Sequence, residues 1–199
     1  MESVHRKGEY RMPRLWMNVS GEGRTAAHAL LHTVMAEEFD LCAPRFDVLP
    51  GGKPVLKGSA IHFNLSHSGP FALLGVGDAP LGVDVERIRP RRPSLPRYAL
   101  SDAEFSWFTG RGSRWEDFYT LWTLKESRVK CTGQGLNCAP RTIAVPLLSP
   151  GGWGALDGLW FRVWGGPDWR AACCCGEPPP KSILFHSLPT TDHMIKEQL

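Results

Sequence analysis

HFNLSHSGPFALLGVGDAPLGVDVE, residues 62–86, contains apolar, strand-like runs that end in two acidic residues, Asp84 and Glu86. On a β-strand, residues i and i+2 point to the same face, so these two carboxylates are expected side by side. The opposite face of this strand is apolar and consists of Leu81, Val83 and Val85. Like charges this close destabilise each other unless a positive group lies between them. The stretch therefore predicts a buried strand whose two neighbouring carboxylates need a positive partner.

A helix and three strands are predicted in the first half of the chain. Residues 22–39, EGRTAAHALLHTVMAEEF, have apolar side chains at helical spacing. Three short strands, separated by Gly and Pro, are predicted at residues 45–50, 59–66 and 70–77. We expect the LSHS segment to form a turn at the end of the second of these strands.

The second half has the same order of elements after the acidic strand. A capping box at Ser101 and Glu104 opens a short helix. A long helix at residues 116–131 follows, and then predicted strands at 140–148, 158–166 and 168–176. We therefore expect an α+β fold of two similar lobes, residues 1–80 and 81–199, with the active site between them. Each lobe would consist of a helix and a three-stranded antiparallel sheet.

The composition excludes several classes of protein. The 199 residues are 42% hydrophobic and 22% charged, which is ordinary for a globular protein. No apolar run approaches the roughly 20 residues of a membrane span, and the N-terminus lacks the apolar core of a secretory signal. A net charge of +3 is compatible with an anionic ligand or an acidic protein partner. The six cysteines include no C-x-x-C pair, so we expect reduced thiols in a cytoplasmic protein rather than a zinc site.

The long helix adds a third carboxylate. Its predicted apolar stripe consists of Phe118, Leu121, Trp122 and Val129. Glu126 and Lys130 lie on the flank of this stripe, whereas Lys125 falls within it and would have to extend its charge outward. A helix-surface ion pair would explain Glu126 and Lys130 without any site. Together with Asp84 and Glu86, however, Glu126 would complete a set of oxygen ligands for Mg²⁺, which in proteins usually serves a phosphate substrate.

The LSHS segment suits a phosphate. The hydroxyls of Ser66 and Ser68, backbone N–H groups and a histidine that can carry charge, His67, are all able to bind one. Lys53 in the GGKP segment is a further candidate. Taken alone, such a histidine is more often a solvated or capping residue, and such a lysine an exposed charge.

Four motifs together resemble a known family. GKP, FNLSHSG, GVDVE and LWTLKESRVKCTGQGL occur in this order, and the likeness extends from about residue 24 to residue 175. The chain resembles the 4′-phosphopantetheinyl transferases, specifically their two-lobed, monomeric Sfp-type branch. The resemblance implies transfer of the phosphopantetheine arm of coenzyme A to a serine of an apo acyl or peptidyl carrier protein, with release of 3′,5′-ADP. Such carriers serve fatty acid, polyketide and nonribosomal peptide synthesis.

The resemblance also implies roles for individual residues. The Mg²⁺ ligands would be Asp84, Glu86 and Glu126. Coenzyme A would be bound by its phosphates and its adenosine end, through Arg24, Thr25, Lys53, Ser66 and His67. Lys130 would stabilise the leaving group at the pyrophosphate, and Glu126 would take the serine proton, directly or through a metal-bound water.

Other functions compete with this interpretation. A nucleotide hydrolase or another Mg²⁺-dependent enzyme on phosphate esters would use the same three carboxylates. An inactive scaffold that binds carrier proteins would not need to hold carboxylates that repel one another in one place. A nucleic-acid-binding module could rest on the arginine-rich residues 87–97, but this run is broken by prolines and lacks interleaved aromatic residues. We expect neither nucleic acid nor membrane as a partner, and we expect residues 87–97 to lie exposed beside the active site.

Overall fold

The structure, a computed structural model, describes residues 13–19, 23–49, 52–135 and 138–187. The first half contains β1 (Arg14–Asn18), α1 (Gly23–Phe39), β2 (Phe46–Val48), β3 (Pro54–Leu56), β4 (His62–Ser68) and β5 (Phe71–Gly77). The second half begins with β6 (Leu81–Arg87), α2 (Leu95–Ala99), α3 (Asp102–Gly110) and α4 (Trp115–Thr132). It continues with a short 3-10 turn (Pro140–Thr142), β7 (Trp153–Leu156), β8 (Leu159–Gly165), β9 (Trp169–Cys175) and β10 (Leu184–Phe185).

Two four-stranded sheets form the framework. The N-terminal sheet has the order β10-β1-β5-β4, and the C-terminal sheet has the order β6-β9-β8-β7. All pairings are antiparallel except that of β1 with β10. Strands β2 and β3 form a separate hairpin. The predicted α+β class is therefore confirmed, although each main sheet has more than the three strands expected. The division into lobes at residues 80 and 81 stays a prediction.

Helix predictions were accurate because the signals are local. Helix α1 matches the predicted segment 22–39, of which residue 22 lies outside the described residues. Helix α4 extends the predicted segment 116–131 by one residue at each end. The capping box at the start of α3 is present, since Ser101 N donates to Glu104 Oε2 at 2.7 Å and Glu104 N donates to Ser101 Oγ at 3.3 Å.

One predicted strand is absent, and four observed strands, β1, β3, β7 and β10, were not predicted. Strand β1 was missed because Leu15, Trp16 and Met17 are all buried, so the sequence shows no alternation between an apolar and a polar face. The strand predicted at residues 140–148 is absent, and its first residues form the 3-10 turn instead. Pro140 and Pro146 lack the N–H groups that a strand pairing would require.

The LSHS segment is strand rather than turn. Ser66, His67 and Ser68 form the end of β4, where Ser66 pairs with Leu73 and Ser68 with Phe71 of β5. The reversal comes one residue later, at Gly69, whose φ of +57° favours glycine. The side chains of this segment therefore alternate between two faces instead of clustering in a loop.

Strand β6 lies between the two halves of the molecule. Its apolar side chains, Leu81, Val83 and Val85, pack with those of β1, β5 and β9 in one buried cluster. Its other face lies against α4 at Gly82, where a Cβ atom would come within 2.0 Å of Ser127 O and 2.3 Å of Cys131 N. Glycine at this position is thus required for α4 to pack directly on β6. Among the described residues, no helix is both long and apolar enough to cross a membrane.

Candidate active site

Asp84 is the most buried carboxylate on the α4-facing side of β6. It is 3% exposed, and its Oδ1 accepts hydrogen bonds from Lys130 Nζ at 2.7 Å and Ser66 Oγ at 2.9 Å. Its Oδ2 is buried and has no hydrogen-bond partner within the described part of the chain. An unsatisfied carboxylate oxygen in the interior is costly, so this atom is a candidate for binding a cation.

Glu86 and Glu126 experience the charge of Asp84. Burial raises the pKa of Asp84 in spite of the nearby Lys130, and burial and the Asp84 charge raise the pKa of Glu86. Burial, followed by the Asp84 charge, raises the pKa of Glu126 to about 7, although Lys130 acts in the opposite direction. The fold thus brings the three predicted carboxylates into one electrostatic neighbourhood, as expected for a site that is completed by a positive charge.

These donors suit a hard divalent cation. Carboxylate oxygens are the ligands that Mg²⁺ prefers, and the unpaired Asp84 Oδ2 provides one without breaking an existing bond. Within the described residues, no group of three or more His, Cys, Asp or Glu side chains is arranged so that it could hold a metal ion as it stands. These carboxylates would therefore supply only part of the oxygen ligands of a bound Mg²⁺.

Lys130 and Lys53 connect α4 to the rest of the site. The Nζ atom of Lys130 lies 2.7 Å from Asp84 Oδ1 and 3.0 Å from Ser66 Oγ. Lys53 Nζ donates to two backbone carbonyls, Leu81 O at 3.1 Å and Lys130 O at 2.8 Å. Burial lowers the pKa of Lys53. Lys130 thus supplies a positive partner for Asp84, whereas Lys53 links the hairpin to β6 and α4 and lines a cavity of 200 Å³ together with Asn64 and Lys130.

A cluster of basic residues lies next to the carboxylates. His67 is exposed at the end of β4. Its pKa is lowered by burial and, to a smaller extent, by the charges of Arg24, Lys130 and His28. These groups come from β4, α1 and α4, and the first turn of α1 also contains the exposed Thr25. Because these neighbouring basic groups disfavour the charged form of His67, an anion bound beside it would relieve this repulsion.

Ser66 has a different environment from the one expected. Its hydroxyl donates to Asp84 Oδ1 and accepts from Lys130 Nζ and from the backbone N–H of Val85 at 3.3 Å. A hydroxyl has one donor and two acceptor positions, so all three are used inside the protein. The predicted contact with a nucleotide stays a prediction, and the structure adds a contact with Asp84 that the sequence analysis missed.

A second cavity, of 430 Å³, opens beside Glu86. Its walls are aromatic and apolar with arginines, and the residues that line it are Glu86, Arg91, Arg92, Ser94, Leu95, Tyr98, Phe118, Tyr119 and Trp122. Arg91 Nε donates to Tyr119 Oη at 3.3 Å, which ties the arginine-rich segment to α4. The described structure thus agrees with the expectation that residues 87–97 lie beside the site, with Arg91 and Arg92 exposed.

Lys125 is buried instead of extending outward. It is 1% exposed, and its Nζ lies 2.8 Å from Glu104 Oε2 on α3, 2.6 Å from Ile143 O and 3.0 Å from Pro140 O. Lys125 stands out in the sequence as an unexpected cation in an apolar stripe, but its spacing gives no indication of Glu104 as its partner. The ion pair fixes α4 against α3 and the following turn, directly beside Glu126.

Sequence reasoning missed Asn64 and considered Ser68 only as a ligand for a phosphate. Ser68 Oγ donates to Glu86 Oε2 at 2.7 Å, and Asn64 Oδ1 accepts from Val83 N at 2.8 Å. The available signal was the spacing of Asn64, Ser66 and Ser68 at every second residue, which places three small polar side chains on one face of a strand.

Several known proteins similar to this chain are named 4′-phosphopantetheinyl transferases. A family model described as the 4′-phosphopantetheinyl transferase superfamily matches residues 80–155, which contain β6 and α4. The 4′-phosphopantetheinyl transferase psf-1 of Bacillus pumilus is 35% identical over 95 residues, which are 46% of this chain and 41% of that protein. A 4′-phosphopantetheinyl transferase of Bacillus subtilis is 31% identical over 127 residues, or 61% of this chain and 57% of that protein.

The 4′-phosphopantetheinyl transferase Sfp of Bacillus subtilis strain 168 is 29% identical over the same proportions of the two chains. The chain spans about half the length of the curated relatives it matches. The matched region includes GVDVE on β6 and the WTLKES segment on α4, the two motifs that carry the candidate carboxylates. By these matches, the chain is similar to the 4′-phosphopantetheinyl transferase superfamily over residues 80–155, and to Sfp of Bacillus subtilis over 61% of its own length.

Proposed function

We propose that this protein transfers the 4′-phosphopantetheine arm of coenzyme A to a serine of an apo acyl or peptidyl carrier protein and releases 3′,5′-ADP. The observation that carries the proposal is the neighbourhood of three carboxylates, Asp84, Glu86 and Glu126, beside a cluster of basic side chains. The relatives named as 4′-phosphopantetheinyl transferases support it.

The donor would be bound by the basic cluster. Coenzyme A carries several phosphate charges, and Arg24, His28, His67 and Lys130 gather positive charge around His67. Lys53 Nζ donates to Leu81 O and Lys130 O in this structure, and it would have to leave these carbonyls to contact a phosphate of coenzyme A. Thr25 at the start of α1 and the backbone of Ser66 complete the proposed set of contacts.

The residues that would hold Mg²⁺ are Asp84, Glu86 and Glu126. When bound, this ion neutralises the negative charge of the pyrophosphate. The protein's own part would be to hold the three carboxylates in one neighbourhood, and the close packing of α4 on β6 at Gly82 supports this. Orientation and charge neutralisation account for most catalysis of phosphoryl-type transfer, so a rigid frame is the relevant property.

Lys130 and Glu126 would carry out the proton and charge chemistry. Lys130 lies where the carboxylates meet the basic cluster, since it pairs with Asp84 and also disfavours the charged form of His67. Its ammonium can donate to the leaving-group oxygen. Glu126 has no hydrogen bond from the described residues and is the candidate acceptor of the serine proton.

The acceptor would enter through the cavity beside Glu86. An attacking serine must reach the site from outside on another macromolecule, and this cavity connects the solvent with a proposed metal ligand. Arg91 and Arg92 at its rim suit an acidic partner. The thiols of the chain are free, which fits the proposed cytoplasmic location, and we propose that the enzyme acts as a monomer.

Quantifying both products tests this function against hydrolysis. The protein is incubated with coenzyme A and Mg²⁺, with and without an apo carrier, while 3′,5′-ADP is measured by chromatography and carrier mass by spectrometry. The proposal predicts that nucleotide appears only with carrier, one molecule for each carrier modified. Nucleotide release without carrier modification would instead identify a phosphate-ester hydrolase.

A further inference from the structure

Strands β4 and β6 meet through side chains instead of a backbone ladder. Each lies at the edge of its own sheet, so each has backbone groups without a strand partner. On this edge of β6, three N–H groups donate to three side chains of β4. The pairs are Val83 N to Asn64 Oδ1 at 2.8 Å, Val85 N to Ser66 Oγ at 3.3 Å, and Arg87 N to Ser68 Oγ at 3.1 Å. We call these three bonds the side-chain ladder.

The side-chain ladder has a regular register. Each acceptor is 19 residues before its donor, so β4 and β6 advance together in steps of two residues. Asn64, Ser66 and Ser68 therefore take the place that backbone carbonyls of a neighbouring strand would occupy. Along β4, every second side chain points toward β6, and the others point to the opposite face. Side chains can therefore replace the missing carbonyls only if every second residue of β4 is polar.

The two serines of the ladder also bind the carboxylates. Ser66 Oγ donates to Asp84 Oδ1 at 2.9 Å, and Ser68 Oγ donates to Glu86 Oε2 at 2.7 Å. In each case the serine accepts from the N–H of the residue that follows the carboxylate and donates to the carboxylate itself. One hydroxyl thus fixes both the backbone and the side chain at each of these two positions.

Ser68 is the better of the two serines for a test by substitution, because fewer groups depend on its hydroxyl. Ser66 also accepts from Lys130, so changing it alters several groups at once. Ser68 contacts Glu86 and Arg87 N, and no hydrogen bond within the described residues connects it to Lys130 or to Asp84. A hydroxyl that holds a carboxylate in one direction controls how well that carboxylate binds a metal ion.

We propose that Ser68 is a positioning residue that aims the carboxylate of Glu86 at the proposed metal site, as the last rung of the side-chain ladder. This inference rests on the proposed function for the identity of the ion, but the orientation of Glu86 can be tested separately. Loss of such an outer hydrogen bond typically weakens metal binding by about 10- to 100-fold. We expect about 10-fold, because Glu86 is one of three carboxylates.

Binding of Mn²⁺ as a probe tests the proposal without turnover. The affinity is measured by electron paramagnetic resonance, with and without coenzyme A, for the full chain and for Ser68→Ala, Ser68→Thr and Ser106→Ala. Ser106 is an exposed serine on α3 whose hydroxyl donates to Asp102 O at 2.8 Å, and it serves as the matched control. Thermal unfolding shows whether each variant is folded at the temperature of the measurement.

The proposal predicts about 10-fold weaker Mn²⁺ binding for Ser68→Ala, near-parental binding for Ser68→Thr, which keeps the hydroxyl, and no change for Ser106→Ala. Transfer by Ser68→Ala should be restored by high Mg²⁺, which a general loss of folding would not allow. Equal Mn²⁺ affinity of the parent and a folded Ser68→Ala would refute the positioning role alone. No Mn²⁺ binding by the parent, with or without coenzyme A, would refute the metal site and this proposal together.

Discussion

Replacing Lys125 by methionine should strongly destabilise the protein. Methionine keeps the length and apolar part of the side chain but removes an ammonium that is 2.8 Å from Glu104 Oε2. Two backbone carbonyls, Ile143 O at 2.6 Å and Pro140 O at 3.0 Å, lose the same donor. The Glu104 carboxylate, 3% exposed, would be left in the interior without a positive partner.

The expected loss follows from this burial. Removing one member of a buried ion pair costs about 3–5 kcal/mol, because the remaining charge is uncompensated. Glu104 retains the N–H of Ser101 at 2.7 Å, so we expect the lower end of this range, about 3 kcal/mol. With a urea dependence of about 2 kcal/mol per molar, the midpoint of unfolding should fall by about 1.5 M.

A double-mutant cycle separates the ion pair from packing. Glu104→Gln keeps an acceptor for Ser101 N but removes the charge, so Lys125→Met should cost less in that background, by about 1–3 kcal/mol. Lys57→Met is the control, since Lys57 is 63% exposed and lies 3.7 Å from Asp47. A loss under about 1 kcal/mol for Lys125→Met, or no coupling with Glu104, would show that the ion pair does not hold α4 as described.

Four further outcomes are expected. Asp84→Asn should abolish most transfer while leaving the fold intact, and near-normal rates at low Mg²⁺ would contradict its role. Burial and neighbouring carboxylates raise the pKa of Glu126 to about 7, so the metal-free folded state binds more protons than the unfolded state between the ordinary value of 4.5 and 7. Its unfolding free energy, measured with urea, should fall as pH rises through this window, and an unchanged slope in Glu126→Gln would assign the dependence to another group. His67→Ala should raise the Michaelis constant for coenzyme A about 10- to 150-fold, the equivalent of a charged hydrogen bond of about 1.5–3 kcal/mol; altered thermal stability with unchanged kinetics would return His67 to a structural role. Arg91→Glu with Arg92→Glu should raise the Michaelis constant for the carrier and flatten its salt response, and parental carrier kinetics at low salt would show that docking occurs elsewhere.

Local patterns were sufficient to predict the central elements of the fold. The alternation along β6 correctly placed Asp84 and Glu86 on one face and the apolar Val83 on the other, because a strand has a period of two. The capping box at Ser101 and the periodicity of α4 were equally local signals. Strand β1 was missed because it is buried on both faces and has no alternation to detect. Strands β3, β7 and β10 were missed because they are only two to four residues long, too short for a periodic pattern.

The contacts that complete the candidate site are not local. Lys53 donates to carbonyls 28 and 77 residues away, and Ser68 meets Glu86 across two sheets. These contacts depend on how the β2–β3 hairpin and β4 pack against β6 and α4, which no single segment encodes. The partner of Lys125 was likewise unpredictable, because Glu104 satisfied a capping box that already explained its presence.

The most direct test of the proposed transfer is the intact mass of a carrier protein. A panel of apo acyl and peptidyl carriers is incubated with this protein, coenzyme A and Mg²⁺, beside carrier variants in which the acceptor serine is alanine. We expect at least one carrier to gain the mass of a single phosphopantetheine group, its alanine variant to gain none, and Glu126→Gln to remove the gain. If every apo carrier, including acyl and peptidyl types, keeps its original mass while the protein is folded and binds coenzyme A, the proposed transfer is wrong.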